Sequence, residues 1–115
     1  MINRIIFLSI RKNYTVGKDG AHRWCCEGKL HREDGPAILY RNTLEWYREG
    51  YLHREDGPAI ISYGIESWYY MGKLHRDDNP AVIWPDGYKE WWCNGELCGH
   101  GYFYGNFFMR RTNDK

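Results

Sequence analysis

The sequence predicts an all-β fold: an elongated, twisted antiparallel meander of about four 22-residue β-hairpin repeats with terminal caps. Three observations predict it. Aromatic residues make up 17% of the 115 residues and Gly occurs 13 times, a composition suited to short strands joined by tight turns. His31-Arg32-Glu33-Asp34-Gly35-Pro36-Ala37-Ile38 returns as His53-Arg54-Glu55-Asp56-Gly57-Pro58-Ala59-Ile60, and again as His75-Arg76-Asp77-Asp78-Asn79-Pro80-Ala81-Val82. The period is 22 residues without a gap, and Trp24, Trp46 and Trp68 keep the same phase, as do Gly28, Gly50 and Gly72. A fixed period of this length signals a repeat array.

In chain order, 1–115 reads as a single repeat domain. Residues 1–19 are an N-terminal cap strand, centred on the apolar run Ile5–Ile10. Repeats occupy 20–41, 42–63, 64–86 and 87–105, the fourth entering one residue late through Pro85-Asp86-Gly87 with Trp91 and Gly95 in the matching places. Residues 106–115 form a C-terminal cap or tail. Within a unit, strand one surrounds the Trp (Thr43 to Arg48) and a turn follows at Glu49-Gly50-Tyr51. The polar segment then leads into strand two, Ala59-Ile60-Ile61. Two short strands and two turns fill such a unit and leave no room for a useful helix. Pro36, Pro58 and Pro80 stand at the entry of strand two, where a missing N–H does least harm. Gly35, Gly57 and Asn79 are residue types that tolerate positive φ, so a sharp bend is expected there. The Trp column and the Ala-x-Ile/Leu columns (37/39, 59/61, 81/83) are expected to form the buried stripe.

Composition excludes several function classes. Sixteen Lys and Arg against 15 Asp and Glu give a formal charge of +1, which argues against electrostatic binding to nucleic acid or to an acidic membrane surface. No run approaches the ~20 apolar residues of a membrane span. Ile5–Ile10 is shorter than a signal-peptide apolar core and reads as a strand of a cytoplasmic protein. Cys25, Cys26, Cys93 and Cys98 contain no C-x-x-C pair and read as reduced, partly buried thiols. Ser occurs only at positions 9, 62 and 67, and no nucleophile elbow or nucleotide-binding glycine pattern is present. No catalytic residue, cofactor or metal is expected.

The segment Gly87-Tyr88-Lys89-Glu90-Trp91-Trp92-Cys93-Asn94-Gly95-Glu96-Leu97-Cys98-Gly99-His100-Gly101 resembles a MORN-type repeat, G-x-x-x-W-x-x-G-K-x-x-G-x-G. The earlier units replace the G-x-G end with Arg-Glu-Asp-Gly-Pro-Ala. Their pattern, W-x-x-x-G-K-L-H-R-x-D-G-P-A, resembles repeats of small phage and giant-virus proteins. The likeness covers roughly residues 20–105 and implies a β-hairpin repeat scaffold. It further implies a viral inhibitor of a host defence protein, acting by surface occlusion in the host cytoplasm. MORN proteins also suggest a membrane-lipid-binding scaffold as an alternative, which the departure from G-x-G weakens.

Two sets of residues compete for a functional role. The first is the ladder His31, His53 and His75, Asp34, Asp56 and Asp78, with Trp24, Trp46, Trp68 and Trp91. It reads as structural, the Asp accepting turn N–H groups and the Arg or His tying each loop to its neighbour. Equivalent residues stand roughly 10 Å apart, too far to share a metal. A weak hydrolase or metal site built on the ladder is the alternative. The second set is what differs between repeats. After each Trp come Cys25-Cys26, Tyr47-Arg48, Tyr69-Tyr70 and Trp92-Cys93. Tyr47, Arg48, Tyr69, Tyr70 and Trp92 are hot-spot residue types. Together with Tyr102 and Phe103 of the apolar C-terminal segment they are the candidate partner-binding residues of a non-enzymatic protein-binding module. A terminal edge strand also offers a route to a homodimer.

Overall fold

The computed structural model describes residues 12–102. The apolar run Ile5–Ile10, the segment 106–115 and Phe103 lie outside the described residues. Every described element is a strand or a turn. The strands are β1 (Lys12–Val16), β2 (His22–Cys26), β3 (Lys29–Leu30), β4 (Ile38–Tyr40), β5 (Thr43–Glu45), β6 (Tyr47–Arg48) and β7 (Tyr51–Leu52). Then come β8 (Ile60–Ser62), β9 (Ile65–Ser67), β10 (Tyr69–Tyr70), β11 (Lys73–Leu74), β12 (Val82–Ile83), β13 (Tyr88–Cys93) and β14 (Glu96–Tyr102).

The main sheet runs β1-β2-β4-β5-β8-β9-β12-β13-β14, with β3 attached to β2. All its pairings are antiparallel and follow chain order, as a meander requires. The molecule measures 59 × 30 × 20 Å. Its strands carry the β-branched and aromatic residues, and its ribbon turns pair two positive-φ residues: Glu49 (49°) with Gly50 (88°), and Met71 (47°) with Gly72 (88°). That is the type I′ geometry matched to the right-handed twist of a hairpin.

The unit is more elaborate than two strands. The strand expected over Thr43 to Arg48 is broken at Trp46: β5 stays in the main sheet, while β6 pairs with β7 in a separate two-stranded ribbon. Trp68 interrupts the next unit in the same way, between β9 and the β10–β11 ribbon. The cause is a loop that closes on the tryptophan from both ends. The Trp46 N–H donates to the Ala59 carbonyl (2.7 Å), and the Trp46 carbonyl accepts the His53 N–H (3.1 Å). Trp68 makes the same pair of bonds; Trp24 makes them too, but β2 runs unbroken through it, with β1 paired along its whole length. Around Trp91 the strand instead continues, absorbing a β-bulge between Trp91 and Trp92.

The buried stripe is narrower than expected. Ala37, Ala59 and Ala81 are 0% exposed and Trp91 is 5% exposed, but Trp24, Trp46, Trp68, Leu39, Ile61 and Ile83 are only half-buried. Among the described residues the buried alanines, Val82 and Trp91 form the apolar core, and the other large apolar side chains stay partly exposed.

Candidate partner-binding grooves

The first set of residues is bound up in holding each loop. Arg32, Arg54 and Arg76 each lie over the indole of their own repeat, Trp24, Trp46 and Trp68, with the guanidinium carbon 3.8 Å from the ring centroid. Nη1 of each donates to the carbonyl of the loop proline, Pro36 (3.1 Å), Pro58 (3.0 Å) and Pro80 (3.1 Å). Nε donates to Asp34 (3.0 Å) and Asp56 (3.2 Å). The aspartates therefore accept from arginine, where turn N–H groups were the expected donors. The hydrogen bond from Arg32 holds the Asp34 carboxyl below its ordinary value.

Gly35 and Gly57 do not adopt the positive φ expected of them. Positive φ falls instead at Gly28, Gly50, Gly72 and Gly95 and at the residues before them. What the loop glycines supply is space. A Cβ on Gly57 would stand 2.7 Å from the Arg54 guanidinium carbon, and one on Gly35 3.0 Å from that of Arg32. In the third unit Asn79 occupies this place. Asp78 takes up φ 66° there, and among the described residues no Arg76–Asp78 ion pair forms, although the stack and the Pro80 bond persist.

The histidines are the ties between units. His31 Nδ1 accepts the Glu49 N–H (2.9 Å), His53 Nδ1 the Met71 N–H (2.9 Å) and His75 Nδ1 the Asn94 N–H (3.0 Å). Since Nδ1 is the acceptor, the ring proton sits on Nε2. Nε2 faces Glu33 at 2.8 Å, Glu55 at 3.2 Å and Asp77 at 3.1 Å. The bond from His31 lowers the Glu33 carboxyl. Beside each imidazole, the N–H of Gly50, Gly72 or Gly95 donates to the carbonyl of Leu30, Leu52 or Leu74 (2.8–2.9 Å). Neighbouring units are thus joined at side chain and backbone together.

Between the acidic loop of one unit and the post-Trp residues of the next lies an open groove. One such groove, about 610 Å³, includes Arg32, Asp34, Trp46, Tyr47, Arg48 and Arg54 in its walls. The following one, about 350 Å³, repeats the arrangement with Arg54, Trp68, Tyr69, Tyr70 and Arg76. A third, about 420 Å³, holds Tyr14, Trp24, Cys25, Cys26 and Arg32. The grooves bring together the two sets of residues that the sequence presents separately.

Within the grooves the variable residues differ in freedom. The Tyr47 hydroxyl donates to Glu45 (3.0 Å), and burial with that carboxylate pushes it up to about 12. Burial also raises Tyr69. Tyr70 is exposed, with its ring centroid 4.6 Å from that of His53, and exposed Arg48 reaches to 3.7 Å of Glu55. Trp92 lines none of these three grooves; it is half-buried and donates Nε1–H to Glu90 (2.7 Å). Tyr102 is not in this series. It packs on Tyr88 at the β14 end, ring centroids 5.3 Å apart.

None of the four cysteines is in a disulfide, and Cys93 is exposed where a partly buried thiol was expected. Among the described residues no three of His, Cys, Asp and Glu converge as a metal-ligating group. The Arg–Trp stack escaped sequence reasoning, although the constant eight-residue spacing from Trp24 to Arg32, Trp46 to Arg54 and Trp68 to Arg76 was its available signal. Compared with protein-family models, curated proteins and solved structures, the chain matches none.

Proposed function

We propose that this protein is a non-catalytic scaffold that binds another protein in the grooves between its repeats. One observation carries the reading: the residues that stay constant between units build the groove walls, and the residues that vary are presented within them. Arg32, Arg54, His31 and His53 are engaged by their own fold, while Arg48 and Tyr70 are exposed. Constant walls with variable, aromatic-rich contents give a preorganised surface with position-specific contacts. A small viral protein of this build would inhibit a host protein by covering its surface.

The competing readings have less support. A hydrolase or metal site on the ladder needs a free imidazole nitrogen, whereas Nδ1 and Nε2 of His31, His53 and His75 both have partners. A lipid-binding scaffold for acidic membranes would set the exposed carboxylates Glu33, Asp34, Glu55, Asp56, Asp77 and Asp78 against like charge.

The test is a double substitution, Tyr69→Ala with Tyr70→Ala, measured by calorimetry against the partner recovered from the native cell. Affinity falls by about 2 kcal/mol or more if these are hot spots, with the far-ultraviolet spectrum unchanged. Unaltered affinity would remove the grooves from the binding surface.

A further inference from the structure

We propose that His31, His53 and His75 are acid-sensitive ties, each of which accepts an N–H from the turn of the next repeat when neutral and gives up that one bond when protonated. The geometry makes each ring a two-sided tie. Nε2 faces a carboxylate of its own loop, and Nδ1 accepts a backbone N–H from the turn of the following unit. An imidazolium carries a proton on both nitrogens. The new Nδ1–H would point at the N–H of Glu49, Met71 or Asn94 across about 2.9–3.0 Å, so that bond cannot survive protonation. The Nε2 contact becomes a charge-assisted one and strengthens. Each ring therefore stays on its own loop and gives up its bond to the neighbour.

Each ring has a carboxylate on its Nε2 side. His53 is 5% exposed and faces Glu55 Oε2, which Arg48 Nη1 also approaches at 3.7 Å, with the Tyr70 ring beside the imidazole. Arg32 and Glu33 of the preceding unit and its chain neighbour Arg54 line the same groove. His31 faces Glu33, on which Arg48 and Lys12 also act. His75 faces Asp77, with Tyr70 6.5 Å away and Arg54, Glu55 and Arg76 in the groove walls. No cation bonds to any of the three Nε2 atoms among the described residues, so each has a carboxylate ready for the charged ring. The bond that is lost lies at the inter-repeat junction, beside the backbone bond of Gly50, Gly72 or Gly95, which stays. A second proton on the three rings therefore removes one tie from each junction at regular intervals.

The experiment uses the full chain labelled with ¹⁵N and needs no partner, so its outcome is independent of the binding reading. Through-bond coupling between the Glu49, Met71 and Asn94 amide nitrogens and the histidine Nδ1 atoms reports the three joints directly. Couplings are expected at pH 8 and, as the pH is lowered, are lost on each ring whose own nitrogen shifts show a second proton. Exchange of those amides should rise about tenfold relative to Gly50, Gly72 and Gly95, as loss of one hydrogen bond implies. In His53→Asn, where a carboxamide oxygen replaces Nδ1 as acceptor, Met71 protection should no longer respond to this pH change. Couplings absent at pH 8 or persisting on charged rings would overturn the proposal. So would loss of the glycine amides at the same pH, or an unchanged pH response in His53→Asn.

Discussion

Replacing Arg54 by Ala tests what holds each loop to the sheet. The guanidinium lies 3.8 Å from the Trp46 ring centroid with a side chain 24% exposed, a partly desolvated stack of about 1–2 kcal/mol. Its Nη1 bond to the Pro58 carbonyl, 3.0 Å, is charge-assisted and adds about 1.5 kcal/mol. The Asp56 partner is 89% exposed, so that ion pair contributes less than about 1 kcal/mol. Allowing for non-additivity, Arg54→Ala should destabilise by about 2–4 kcal/mol and Asp56→Ala by less than about 1 kcal/mol. Arg54→Lys should fall between them, since a lysine keeps the charge but not the planar fork. Equilibrium urea unfolding followed by tryptophan fluorescence measures all three, provided the slope with denaturant is unchanged. The reasoning is refuted if Asp56→Ala costs as much as Arg54→Ala, or if Arg54→Ala costs less than about 1 kcal/mol.

Gly57→Ala sets a Cβ 2.7 Å from the Arg54 guanidinium carbon, yet Asn79 in the third unit keeps its stack at 3.8 Å. The substitution should therefore cost only the exposed Asp56 pair, under about 1 kcal/mol by urea unfolding, and a loss above about 2 kcal/mol would contradict this. Tyr47, raised to about 12 by burial and Glu45, has a folded value above its unfolded one. Its stabilising effect is complete below about pH 10 and lost as pH climbs through 12. Ultraviolet titration should show one tyrosine ionising near 12 that Tyr47→Phe removes. Glu33 and Asp34 lie below their ordinary values of 4.5 and 3.8, held down chiefly by His31 and Arg32 respectively. Their contribution is present above those values and lost as pH falls through the depressed ones. Glu33→Gln with Asp34→Asn should flatten that acid limb in stability-versus-pH curves.

The period and strand class were legible because Trp, Gly and Pro repeat in phase with the turns and strand entries they serve. The ribbons were not, because the break at Trp46 is imposed by a loop that returns from Ala59, a contact no local pattern encodes. Gly57 misled for a different reason. Glycine serves both positive φ and missing bulk, and only the position of Arg54 distinguishes the two. Side-chain size misleads about the core: Ala59 vanishes from solvent while Trp46 stays half-buried. Tyr47 and His53 appeared as separate sets because the groove that unites them lies between consecutive units, across the strand pairing.

A photoreactive side chain at position 70, compared with one at 63, tests the binding scaffold most directly. Both tyrosines are well exposed, at 53% and 64%. Tyr70 lines a groove, whereas Tyr63 sits in the turn between β8 and β9. Irradiated in the cells that produce the protein, position 70 should yield one discrete protein adduct that Tyr69→Ala depletes, and position 63 should yield none. The same adduct from position 63, or no adduct from position 70, would contradict the account.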